Sequence, residues 1–261
     1  MENITIILPI HTSKQKGFET MFKSCIESIQ NQTKKVLKLI IVHSTEDTLV
    51  EFLNSYEFGE LEVNLLLNNG DTDFMSQINK GIEETKTEWF SIIEVDDEYA
   101  SIWFKNVSRY MDSYPDIDAF LPLVVDVDDK GVFAGFTNEA VFAANMNTDI
   151  GYLTNEVLLN YQNFQSSGMV MKTESVEKYG GFKKNIELTF SYEFLLRQTY
   201  NGSKIMTIPR IGYKHTNMRE GSVFWDYKNG SNKLSQDEVT FWLETAKKEY
   251  FFNEDREINL A

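Results

Sequence analysis

Cysteine is almost missing from this chain: Cys25 is the single thiol among 261 residues, so no intrachain disulfide staples the fold. With no His or second Cys nearby in sequence to lower its pKa, Cys25 reads as a packing residue on a helix face. Proline is sparse too, at four positions, which excludes collagen and Pro-rich disorder. No apolar run approaches the roughly 18 residues of a membrane span. The opening Met1-Glu2-Asn3-Ile4 lacks the basic, then apolar, then small-residue order of a secretion signal. The expectation is a soluble, cytoplasmic protein. Basic residues are also few, 25 Lys and Arg against 40 Asp and Glu, and the resulting charge of −15 argues against long-range attraction to nucleic acid or an anionic membrane. What remains is globular material, 42% apolar and 13% aromatic, enough for one large or two small domains.

Residues 4–8 form a β-branched apolar run that predicts a buried strand, stopped by Pro9. Phe18, Met21, Phe22, Cys25, Ile26 and Ile29 recur at helical spacing across 16–32, and 37–42 again reads as a buried strand. Helices over 48–56 and 75–86 then alternate with strands over 61–67 and 89–95. Such an order predicts an α/β fold, a parallel sheet covered on both faces with right-handed crossovers. A helix over 102–113, a strand over 119–127 and a hairpin through Asp128-Asp129-Lys130-Gly131 into 132–136 end the alternation, so the second half is mixed. Residues 137–165 read as a variable, partly helical loop region. A strand over 169–171, helices over 174–179 and 191–200, and a strand over 204–208 ended by Pro209 complete the compact part. Ser235 and Glu238 form a capping box that opens a last helix, with Val239, Trp242, Leu243, Ala246 and Tyr250 on one stripe. That much apolar surface predicts docking on its own domain or on another subunit.

The fourth of the early strands runs into Glu94-Val95-Asp96-Asp97-Glu98, placing acids at the carboxyl end of a central strand, where open α/β sheets bind ligands. Around this cluster stand Ser28-Ile29-Gln30-Asn31-Gln32-Thr33, the strand and loop over 38–47, Asn79-Lys80-Gly81-Ile82, Ser167-Gly168-Met169 and Gly180-Gly181-Phe182. In this order and spacing, and together with Ile4 to Pro9, the phrases resemble the glycosyltransferase family 2 proteins over about residues 3–220. The resemblance implies a GT-A, Rossmann-like fold: a mostly parallel central sheet flanked by helices, with a mixed acceptor-side half and a C-terminal helix. Residues 1–98 would be the nucleotide-sugar-binding half, 99–222 the acceptor-side half of the same domain, and 223–261 a helical tail. The activity implied is metal-dependent, inverting transfer of a hexose from a nucleoside diphosphate sugar, UDP-linked, to a hydroxyl of an unknown sugar or glycan acceptor.

A departing diphosphate calls for a divalent cation, Mg2+ or Mn2+, and hard cations take carboxylate oxygens with at most an imidazole. Along a strand Glu94 and Asp96 point to one side, while Asp97 begins the loop. The resemblance gives Asp96 to the metal, with His215 in Gly212-Tyr213-Lys214-His215-Thr216 as a second candidate ligand, and it gives Glu94 and Val95 to the nucleotide. Glu94 stands where the family has Asp, and its extra methylene displaces the carboxylate by roughly 1.5 Å. His11 at the mouth of the first strand, His43 in place of a base-reading acid, and Asp73 are further candidate nucleotide contacts. Glu46 and Asp47 either compensate for His43 or are turn residues. The family's Glu-Asp pair falls on Phe190-Ser191, neither of which accepts a proton at neutral pH. Glu193, near a helix start, is the candidate general base, and Glu187 lies a few residues earlier in a loop; Glu193 also stands four residues before Arg197, the spacing of a helix ion pair. Three function classes stay open: the transferase; a GT-A-like structural or interaction protein, of a viral particle or other complex, whose catalytic residues have drifted; and a nucleotidyltransferase, for which Ile10-His11-Thr12-Ser13-Lys14 is a poor version of the basic Gly-rich loop required. A solvated strand end beside a helix N-terminus would carry the same acids. An open pocket over Asp96, or one filled by Phe190, separates the readings.

Overall fold

The computed structural model describes residues 4–35, 38–146, 151–217 and 219–258; Leu37 of the second expected strand lies outside the described residues. Strand β1 (Ile4–Ile10) lies between β2 (Lys38–His43) and β4 (Trp89–Ile92), parallel to both, and β3 (Glu62–Leu67) extends the parallel run beyond β2. Helices α1 (Phe18–Gln30), α2 (Asp47–Ser55) and α3 (Phe74–Glu84) connect them. β1 is buried from end to end because both of its faces are covered. Ile6, Leu8 and Ile10 belong to a core with Phe18, Phe22, Cys25 and Ile26 of α1, while Ile7 belongs to the opposite core with Met75, Ile78 and Ile82 of α3. Helix α3 can approach because Gly81 has no side chain: a Cβ there would lie 2.5 Å from Ile7 Cγ2.

After the short β5 (Glu98–Tyr99) and α4 (Trp103–Ser113) come β6 (Ala119–Val127) and its hairpin partner β7 (Phe133–Thr137). Next are β8 (Gly151–Leu153), α5 (Asn155–Asn160), β9 (Val170–Lys172), α6 (Thr173–Tyr179) and α7 (Phe190–Tyr200). Strand β10 (Ile205–Thr216) and helices α8 (Val223–Asn229) and α9 (Gln236–Glu249) close the chain. The sheet order is β3-β2-β1-β4-β9-β6-β10-β5, with β7 on β6 and β8 on β10. The long ladder β6–β10 is parallel, and the narrow β9 joins it antiparallel to β4, so the sheet is mostly parallel with a mixed second half. Helix α9 docks on its own chain. Trp242, Ala246 and Tyr250 are buried, Thr189 Oγ1 donates to the Trp242 carbonyl at 2.9 Å, and the Ser235–Glu238 capping box is formed.

Two expected strand ends move. β1 continues through Pro9 to Ile10, and β10 continues through Pro209 to Thr216. Ile7 turns its carbonyl toward β4, where the Ile93 N–H donates to it at 3.0 Å. Pro9, two residues on, therefore turns its missing donor to the same side, past the last pair Ile7↔Ile92. Pro209 sits in a register shift between Ile208 and Ile211, in the gap between the β8 and β5 ladders. A proline interrupts a ladder only where a partner waits for its N–H. Among the described residues no helix is long and apolar enough to cross a membrane.

Candidate functional site

The continuation of β10 builds the site, because it carries Tyr213, His215 and Thr216 alongside the exit of β4. The Asp97 N–H donates to the Glu94 carbonyl at 3.1 Å, closing residues 94–97 into a turn. That turn is held from four directions. The Glu94 N–H donates to the Tyr213 hydroxyl at 3.1 Å, and the Cys25 thiol reaches the Glu94 carbonyl at 3.6 Å. The Thr216 hydroxyl donates to the Asp96 carbonyl at 2.7 Å, and the Thr216 N–H donates to Asp97 Oδ1 at 2.8 Å. Asp97 is fully buried, and its Oδ2 lies 2.9 Å from His215 Nδ1. Asp96 turns the other way, accepting from Arg219 Nε at 2.6 Å.

This folding-back changes the expected metal pair. Glu94, Asp97 and His215 each offer a ligand atom within 4.8 Å of one another, whereas Asp96 stands outside the trio against Arg219. Two carboxylates and an imidazole are a donor set that suits Mg2+ or Mn2+, so the residues fit a cation. Burial first, and then the charges of Asp97 and Asp96, push the Glu94 carboxyl up to about 8, against the pull of His215 and Arg219. Burial alone would lower His215, but Asp97 and then Glu94 outweigh it and hold the imidazole up at about 10. His215 therefore carries a proton at neutral pH, which a bound cation would have to expel.

The other expected residues sit along the same sheet edge with varied duties. His11, exposed just past β1, donates from Nδ1 to the Thr72 carbonyl at 3.1 Å. His43 ends β2, is buried, and donates from Nδ1 to the Ser44 carbonyl at 2.9 Å. Asp73 is exposed and caps α3, accepting the Ser76 N–H at 2.9 Å. Val95 is buried in the core. Glu46 accepts from Thr12 at 2.6 Å, from Ser13, and from Thr48 at 2.8 Å, tying the loop after β1 to the loop after β2.

Glu193 is not brought to the cluster. It is fully buried on α7, 2.9 Å from Arg197 Nε and 3.1 Å from Lys183 Nζ. Arg197 in turn donates to the carbonyls of Tyr179, Gly180 and Gly181, so the trio braces the turn after α6. Phe190 lines the space beside Glu94, its ring edge-on to Phe74 (5.6 Å) and stacked with Phe224 (6.3 Å). The cavity left between Glu94, Phe190, Ser191, Tyr213 and His215 measures about 30 Å³. Ser191 accepts the Ser166 N–H at 2.8 Å and donates to Ser166 Oγ at 3.0 Å. A larger cavity of about 630 Å³ opens on the other side of His215 and Phe224, toward Asp126, Tyr227, Lys228 and Lys233.

The sequence alone did not point to Arg219, Thr216, Tyr213 or the place of Asp97 beside His215. A continued strand past Pro209, with Tyr213 and His215 alternating, was the signal for Tyr213. Nothing local marks Arg219.

The phrases scattered along the chain meet in space. Asn79 Nδ2 donates to the Phe182 carbonyl at 2.7 Å and the Phe182 N–H returns to Asn79 Oδ1 at 2.8 Å, joining two of them. Ser28 Oγ accepts the Tyr99 N–H at 3.1 Å, and Gln32 Nε2 donates to the Ala100 carbonyl at 2.9 Å, bracing the segment that follows the acids.

Comparison with known proteins agrees with this architecture. No curated protein sequence matches the chain. Among solved structures, S. aureus TarS 1-349 in complex with UDP-GlcNAc superposes with a TM-score of 0.66 at 18% identity, over 98% of this chain and 68% of that one. The same protein in complex with UDP gives 0.62 at 16%, over 96% and 72%. The longer S. aureus TarS gives 0.59 at 14%, over 97% of this chain and 44% of its own. These likenesses establish a shared fold. The sequence model for glycosyl transferase family 2 matches residues 5–180. With more than half of the chain under that model, and with its braces and acidic strand exit in place, the protein belongs to glycosyl transferase family 2.

Proposed function

We propose that the protein binds a nucleoside diphosphate sugar, UDP-linked, at the carboxyl edge of β1, β2 and β4 and transfers its hexose to an acceptor hydroxyl with inversion. The single observation that carries this reading is the turn over residues 94–97, which sets Glu94, Asp97 and His215 within 4.8 Å of one another at the exit of a central strand. Family membership and the UDP-GlcNAc complex of TarS support the donor class. These three residues would hold Mg2+ or Mn2+, and the cation would neutralise charge developing on the departing diphosphate. Asp96 and Arg219 lie beside it, and His11, His43 and Asp73 line the loops a nucleotide would meet. In this reading residues 1–98 form the nucleotide half, 99–222 the acceptor half and 223–261 the tail, with the cavity of about 630 Å³ on the acceptor side of His215.

Among the described residues, neither Phe190 nor Glu193 offers a free carboxylate beside Glu94. Phe190 packs there and Glu193 is spent in ion pairs, so neither supplies the general-base assistance worth about 10²–10⁴ in rate, and Asp126 is the carboxylate on the lining of the larger cavity. The packed Phe190 favours a second reading, a scaffold that binds a nucleotide without turnover. Calorimetry with UDP and Mn2+, followed by release of UDP from UDP-sugars, separates the outcomes. Binding that weakens at least tenfold in His215→Ala supports the site, and slow UDP release on adding an acceptor supports transfer. Binding without release favours the scaffold. Absence of binding at millimolar UDP would remove the nucleotide reading altogether.

A further inference from the structure

Arg219 spans the two loops between which a diphosphate would lie. A guanidinium has five N–H donors, and three nitrogens here each have one partner. Nε donates to Asp96 Oδ2 at 2.6 Å, Nη2 to Gln15 Oε1 at 2.9 Å in the loop after β1, and Nη1 to the Glu220 carbonyl at 3.1 Å. One N–H on each terminal nitrogen is left over. The side chains of Arg219 and Asp96 are only 12% and 10% exposed, so the pair sits where water screens it little. A planar cation held by a carboxylate on one edge, with two donors free, matches the paired oxygens of a phosphate better than a mobile ammonium would.

We propose that Arg219 is a binding residue for the diphosphate of the nucleotide ligand, a positive charge supplied by the chain itself in addition to any cation at Glu94, Asp97 and His215. The inference rests on the nucleotide-sugar reading and deepens it. Asp96 then positions Arg219, and Gln15 fixes the plane of its guanidinium. Because this charge is covalently part of the protein, nucleotide binding persists after divalent ions are removed.

The test is calorimetric titration of the full chain with UDP, once in EDTA and once in Mn2+, using wild type, Arg219→Met and Arg219→Lys; uridine, which lacks phosphates, serves as the control ligand. Wild type is expected to bind UDP in EDTA, with Arg219→Met at least tenfold weaker and Arg219→Lys between them, while uridine binds wild type and Arg219→Met alike. Thermal melting of the unliganded variants checks the fold. Should Arg219→Met fail to fold, Gln15→Ala replaces it, with a loss of about threefold in EDTA expected from a guanidinium no longer held in plane. UDP binding in EDTA that is equal in wild type and Arg219→Met, or wild-type binding that appears only with Mn2+, overturns the inference and leaves the nucleotide reading standing. No UDP binding by wild type in either buffer overturns both.

Discussion

A carboxylate ringed by donors behaves differently from one facing water, and Glu46 is the clearest case in this chain. Slight burial would raise it, but hydrogen bonds from Ser13, Thr12 and Thr48 hold its pKa down at about 2, against an ordinary value of 4.5. Its contribution to stability is therefore present above about pH 4.5 and lost as the pH falls toward 2. Urea unfolding at pH 7 and pH 3 should show wild type losing stability between the two and Glu46→Gln losing less. Glu46→Ala should cost about 1–3 kcal/mol at pH 7, since it also strands the Thr12 and Ser13 donors. At this scale residue types were legible in the sequence and directions were not. Glu94 and Asp96 stood out as candidate nucleotide and metal residues from their place after an apolar run, and Asp97 only as the start of the loop. Which of them turns inward depends on the Asp97 N–H closing a turn on Glu94 and on Thr216 and His215 arriving from a strand more than a hundred residues later.

Helices and strands hold the site through a few close approaches. Gly168 has a φ of +69°, and a Cβ there would fall 2.5 Å from the Tyr213 ring, whose hydroxyl accepts the Glu94 N–H. Gly168→Ala should cost about 2–4 kcal/mol, from left-handed strain and overpacking together. It should also weaken UDP binding by displacing Tyr213, which calorimetry alongside denaturant titration would detect. On α7, Glu193→Gln leaves Arg197 and Lys183 facing each other without their counter-charge, and a loss of about 3 kcal/mol in urea unfolding is expected. A catalytic base would instead give a stable, inactive variant. The spacing of Glu193 and Arg197 made their ion pair readable from the sequence. Lys183 was not readable, because it comes from the loop before α7 and joins them only when that loop folds over the helix.

The whole molecule carries a net charge of −15 and yet is expected to take up an anionic nucleotide, so local positive charge, from Arg219 and from a bound cation or, without one, the protonated His215, must outweigh the distant field. A ligand that binds only the folded chain stabilises it by about 2.7 kcal/mol at a concentration one hundred times its Kd. For UDP with Mn2+ this corresponds to a rise in melting temperature of about 5–10 °C, read by scanning calorimetry or dye fluorescence. UMP, with one phosphate fewer, should give a smaller rise at the same concentration. An unchanged melting temperature at millimolar UDP would argue against nucleotide binding of either kind.

While the order of short phrases around the acids carried the family resemblance, apolar periodicity by itself determined the alternation of strands and helices and the two covered faces of the sheet, because burial on both sides of a parallel strand leaves a mark at every residue. It also placed the acids at the exit of β4. Only the tertiary structure decided that Pro9 and Pro209 lie inside strands, since a proline breaks a ladder only where a neighbour would have used its N–H. It alone paired Asp96 with Arg219, set Asp97 against His215, and buried Glu193 behind Phe190. Those contacts join segments far apart in the chain, and the charge a side chain carries there is set by neighbours that no local pattern records.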